Sequence, residues 1–153
     1  MFAGYDYYLG DNFSIDFWSD VGLCAACALV SGFSADDWNS LAKKWHGRPA
    51  AWKARCAQTL DAHRSPLALD ILLDMLEEED DDVVVAAADT IRSTTKSALA
   101  ISPPILARLA GLRDRSGIVD KIVLSALIKR AAPPLEGPKN ESHKMNQSGV
   151  VNA

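Results

Sequence analysis

The chain has 153 residues, is 48% hydrophobic and 24% charged, and carries a formal net charge of −4. That length holds one domain with a real core. It contains no run of 18 or more uncharged apolar residues, which excludes a membrane-spanning helix, and its acidic total argues against a general nucleic-acid binder.

Charge is laid down in blocks. Residues 1–42 sum to −6, 43–64 to +5, 65–91 to −9 and 92–153 to +6. Blocks of one sign set up local surface potentials even when the total is small. No positively charged n-region opens the chain. Three cysteines in apolar surroundings suit reduced thiols, so the expected location is cytoplasmic.

Residues 1–15 are aromatic and acidic, contain Gly4 and Gly10, and read as an irregular arm. A domain over 16–132 follows. Its first predicted helix runs from about Asp16 to Ser31, with Phe17, Val21, Cys24, Ala25, Ala28 and Leu29 as the apolar stripe, and Gly32 just past its end. Ser34 is a predicted N-cap, with Asp36 and Asp37 in the first turn, where the helix dipole favours carboxylates. That second helix ends near Trp45. Pro49 opens a third helix that continues to about Ala62.

Ser65-Pro66 caps and opens a fourth helix whose only polar positions are Asp70 and Asp74, one narrow outward line. The six acids Glu77, Glu78, Glu79, Asp80, Asp81 and Asp82 make the following turn, and Asp82 is placed to cap a fifth helix with Val84, Ala87, Ala88 and Ile91 on one face. Ser102-Pro103-Pro104 begins a sixth helix, to about Arg113. The seventh covers about Ile118 to Arg130, with Ile118, Ile122, Leu124, Ala126 and Leu127 inward and Asp120, Lys121, Ser125 and Lys129 outward, as at the end of a stack. Residues 133–153 are polar and predicted to be disordered.

The fourth and fifth helices are apolar almost all round, so they need neighbours on both sides. They resemble a HEAT repeat. Pro66, Leu72, Leu73, Met75 and Leu76 match its first helix, Asp80 or Asp82 its turn, and Val84, Ala87, Ala88 and Ile91 its second helix. Val85 stands where many such repeats carry Arg. Aligning Trp52, Cys56 and Leu60 with Val83, Ala87 and Ile91 extends the plan to the third helix, and the seventh fits at an offset near 36. The fold implied is all-α: a HEAT-like stack of antiparallel helix pairs with about seven helices. The layout also resembles bacterial immunity proteins of polymorphic-toxin systems, with Phe33-Ser-Ala-Asp-Asp-Trp38, Trp45, Arg48-Pro49 and Trp52-Lys-Ala-Arg55 ahead of the repeat. This resemblance implies a non-catalytic chain that binds and blocks a cognate toxin domain with a basic surface.

Several constellations bear on function. Glu77–Asp82 are the leading candidates for partner contact, because adjacent carboxylates stay solvated and steer in a basic partner; the plain alternative is a solvated capping turn. Tyr5, Tyr7 and Tyr8 suit an interface, since tyrosine buries area and keeps a polar tip; otherwise they cover the core. Asp36 and Asp37 complete the candidate contacts. Trp38, Trp45 and Trp52 recur every seven residues and read as an aromatic seam, or as one exposed anchor. Cys24-Ala-Ala-Cys27 lacks a second ligand pair for zinc and a strand–helix context for redox work. With no nucleotide-binding glycine loop and no nucleophile motif, no catalytic, cofactor or metal residue is expected. The rival readings are a HEAT-like adaptor in a larger assembly, and a HEAT-like enzyme with a basic cleft built from Arg55, Arg92 and the seventh helix.

Overall fold

A computed structural model describes residues 1–61 and 65–132. The protein is all-helical apart from one two-residue strand pairing. In chain order it has α1 (Phe2–Leu9), α2 (Ile15–Phe17), a π turn (Trp18–Gly22), α3 (Leu23–Ser31), α4 (Ala35–Lys44), a 3-10 turn (Trp45–Gly47), α5 (Ala50–Thr59), α6 (Pro66–Met75), α7 (Asp81–Thr94), β1 (Leu99–Ala100), α8 (Pro103–Arg115), α9 (Ile118–Arg130) and β2 (Ala131–Ala132). β1 and β2 pair in parallel, Leu99 opposite Ala131. The predicted tail, 133–153, lies outside the described residues, as does Ala62. No helix among the described residues is long and apolar enough to cross a membrane.

Two layers carry the fold. Helices α5, α7 and α9 pack side by side, with α7 in the middle, while α4 packs on α6. α6 packs against α7, and α8 against α9. The middle helix α7 buries Val83, Val84, Ala86, Ala87, Ala88, Thr90 and Ile91. Its three consecutive alanines let neighbours approach closely on more than one side, and α6 buries Ala68, Ile71, Leu72 and Met75 against it. Leucine-sized side chains fully buried in this way each contribute roughly 1.5–3 kcal/mol of transfer free energy.

The expected irregular arm is instead largely helix α1. Phe2, Tyr5 and Leu9 fall on one face and are buried. Its N-terminus has no cap of its own, and none is needed locally: the Asp37 carboxylate accepts the Phe2 N–H at 2.7 Å and the Met1 ammonium at 2.9 Å. Asp37 also closes a capping box with Ser34 at the start of α4. One carboxylate therefore satisfies orphan donors of two helices, and these hydrogen bonds hold the Asp37 carboxyl well below the usual carboxylate range.

The stripe expected for the first helix is also corrected. The buried line is Trp18, Gly22, Ala26 and Val30, while Phe17, Val21, Cys24 and Ala28 face out. This segment is apolar nearly all round, so periodicity alone does not choose a face. Trp18 chooses it, because its indole N–H reaches Gln58 Oε1 at 2.6 Å. Gly22 lies under that ring: a Cβ there would sit 2.8 Å from Trp18 Cε3.

Trp38, Trp45 and Trp52 are all buried, so none is an exposed anchor; their ring partners are Phe33, His46 and Tyr5 respectively. Cys56 is buried and Cys24 is exposed. The last correction concerns α9, where Val123, Leu124 and Leu127 are buried but Ile118 is 80% exposed and Ile122 64% exposed. α9 packs mainly on α7 and α8, and the apolar residues of its first turn stay exposed.

Candidate functional site

The acidic run occupies the α6–α7 turn, and its members do different work. Asp80, not Asp82, is the N-cap of α7; its carboxylate accepts the N–H groups of Asp82 at 3.1 Å and Val83 at 3.2 Å. Glu78 pairs with Lys53 at 2.7 Å, and that lysine is itself buried and lies over the Trp45 ring. Asp81 pairs with Arg115 at 2.9 Å. Arg108 donates to the carbonyls of Glu77 and Glu78. The turn is thus stitched to α5 and α8. Glu77, Glu79 and Asp82 remain exposed, as do Asp70 and Asp74 on the outward line of α6, and none of the five side chains has a partner among the described residues.

The other sequence candidates separate. Tyr5 is fully buried and presents nothing to a partner. Thr59 Oγ1 already donates to the Cys56 carbonyl at 2.8 Å, so the Tyr5 hydroxyl donates to Thr59, at 2.5 Å. Burial holds the Tyr5 phenol well above its ordinary range and pushes the Cys56 thiol up to about 12. Tyr8 is half-buried, its ring tilted against Phe13 with centroids 4.9 Å apart, and its hydroxyl is 3.4 Å from the Gly22 carbonyl. Tyr7 is 82% exposed beside a hollow of about 460 Å³ that also holds Asp6, Asp11 and Lys44. Asp36 is exposed; Asp37 is occupied as a cap. The acidic turn and the tyrosines do not converge on one site.

Sequence reasoning missed a broad concavity, an open groove of about 730 Å³. One wall is the 13–23 segment, with Phe13, Ile15, Trp18 and Leu23. The floor is α5 and α7, with Ala54, Val85 and Ala86, and the far wall is the start of α9, with Val119 and Val123. Val85 thus faces the groove in place of the arginine that the repeat resemblance leads one to look for. Asp82, Asp89 and Asp120 also line it. Asp82 belongs both to the acidic turn and to the groove, so the two acidic features are continuous.

Arg55 is the cation of this lining, and both terminal nitrogens of its guanidinium are engaged. It donates to the carbonyls of Leu9 at 3.0 Å, Asp11 at 2.5 Å and Phe13 at 3.5 Å. It also lies over the rings of Phe13 and Trp18, at 5.2 and 5.4 Å from their centroids. Arg55 therefore pins the 13–18 wall in place. Arg92 is tied to Asp89 at 2.6 Å. Arg92 does not line the groove, whose lining is half apolar and half polar and carries three carboxylates, Asp82, Asp89 and Asp120, against the single cation Arg55. Among the described residues, no three His, Cys, Asp or Glu side chains gather where they could hold a metal ion.

Fold and surface together define an all-helical protein with an apolar–acidic groove beside an acidic turn. Comparison with protein-family models, with curated proteins and with solved structures finds no match.

Proposed function

We propose that this chain is a non-catalytic protein-binding module, an immunity protein that binds a cognate toxin domain of basic surface and blocks it in the bacterial cytoplasm. In this reading α4–α5, α6–α7 and α8–α9 are three HEAT-like pairs, and the scaffold exists to hold a charged surface still. One observation carries it: Asp70, Asp74, Glu77, Glu79 and Asp82 stand exposed on the α6–α7 pair, with no side-chain partner among the described residues. Like charges held this close repel one another, and a basic partner relieves that repulsion and is drawn in fast. The same surface suits a toxin whose groove is built for phosphates, since carboxylates present the same sign of charge.

The test is co-expression with the toxin domain encoded beside this gene. The chain should rescue growth and co-purify with that domain. Glu77→Lys, Glu79→Lys and Asp82→Lys together should weaken capture at least about tenfold while leaving helical content and melting temperature close to wild type, because all three are exposed. Absence of any toxin-like neighbour, or rescue without physical association, would sink the reading.

A further inference from the structure

Six of the eight large apolar side chains that the described residues expose lie in two short segments: Ile15, Phe17 and Val21, and Ile118, Val119 and Ile122. One residue of each segment, Ile15 and Val119, lines the same groove from opposite sides, while Ile118 and Ile122 face a separate hollow on α9. Scattered exposed apolar residues need no explanation, but exposed apolar side chains facing each other across a concavity mark an interaction surface. We propose that this groove receives an amphipathic helix bearing lysine or arginine, apolar side down, from a protein partner. The proposal rests on the reading above that the partner is basic, and adds the place and chemistry of contact.

Three features select that occupant. First, the floor presents an apolar strip of Ala54, Val85 and Ala86 among polar side chains of α5 and α7, and the carboxylates of Asp82 and Asp120 beside it have no partner among the described residues. An apolar stripe flanked by cations is the matching cross-section of an amphipathic helix. Second, the walls and floor are largely helical, and helical main-chain groups are paired internally, so they offer no edge for an added β-strand. Third, the lining carries three carboxylates against one cation, Arg55, which already donates to three carbonyls, so the balance of charge disfavours phosphates and acidic peptides. Arg55 acts as a positioning residue: it holds the 13–18 wall at the distance that makes the groove.

The experiment uses the full chain and a fluorescein-labelled Leu/Lys amphipathic peptide of about 14 residues, long enough to form a helix on binding. Its comparators are a peptide of the same composition scrambled to destroy the apolar face, and a Leu/Glu version. Fluorescence anisotropy should show binding of the Leu/Lys peptide alone. Ile15→Ser with Val119→Ser, and separately Asp82→Ser with Asp120→Ser, should each weaken it at least about tenfold. Raising salt from about 0.05 M to about 0.5 M should weaken binding to wild type but have little effect on the Asp82/Asp120 variant.

Equal binding of the scrambled peptide, or insensitivity to both groove pairs, overturns the proposal. So does loss of binding only on Glu77→Lys with Glu79→Lys, which would put the contact on the acidic turn and leave the proposed function standing. If sedimentation shows a dimer that Ile15→Ser with Val119→Ser dissociates, a second copy fills the groove and the proposal fails. Groove-dependent peptide binding without toxin capture would keep this inference and reject the immunity reading.

Discussion

Tyr5, Thr59 and Cys56 form a chain of polar groups in the middle of the apolar core, each with burial as the dominant influence on its chemistry. Removing the phenol hydroxyl by Tyr5→Phe leaves Thr59 without its donor and should cost about 1 kcal/mol in urea unfolding. The pair also dictates behaviour at high pH. Unfolded, the thiol ionises near pH ~8.5 and the phenol near pH ~10. Folded, the thiol holds its proton to about 12 and the phenol holds its own well above the ordinary value. Between these limits the folded state binds more protons than the unfolded one, so stability falls as pH rises. The urea midpoint should therefore drop steadily from pH 8 to pH 11, and Cys56→Ala should shallow that slope. An unchanged slope would mean that the thiol is not the group being held protonated. Asp37 acts with the opposite sign. Its folded value lies below that of the free carboxyl, so its stabilisation is complete above about pH 4 and is lost as acid protonates it.

At the scale of elements, α7 puts the choice of cap to a direct test. Asp80→Ala should cost roughly 1 kcal/mol and Asp82→Ala less than about 0.5 kcal/mol, read from thermal unfolding of each variant; the reverse order would place the cap where the sequence pattern suggested. Helix existence was legible because Ser34, Pro49, Ser65-Pro66 and Ser102-Pro103 punctuate the chain at its joints. The choice among Asp80, Asp81 and Asp82 was not, since all three lie within reach and only the backbone path selects one. α1 escaped notice for a related reason: its capping group is Asp37, 35 residues beyond Phe2. The groove was illegible because its walls come from residues about a hundred positions apart, Ile15 and Val119, and each segment alone looks like core.

At the scale of the whole molecule, the same sequence property has opposite consequences in the middle and at the end. α7 and α9 are both apolar on several sides, but α7 lies between α5 and α9 while α9 packs mainly on α7 and α8. The expectation of a polar terminal face therefore holds only in part: Lys121 and Lys129 are exposed as expected, but Ile118, Val119 and Ile122 are exposed with them. If these side chains are open in the free protein, Ile122→Ser should change unfolding free energy by less than about 0.5 kcal/mol. Leu124→Ala, two residues on and fully buried, should cost about 2–5 kcal/mol through lost transfer energy and a cavity. Chemical denaturation of both variants at one protein concentration makes the comparison, and repeating it at a tenfold higher concentration separates monomer stability from association. A loss above about 1 kcal/mol at Ile122 that is independent of concentration would mean this face is covered within the free chain. The stack would then not end at α9.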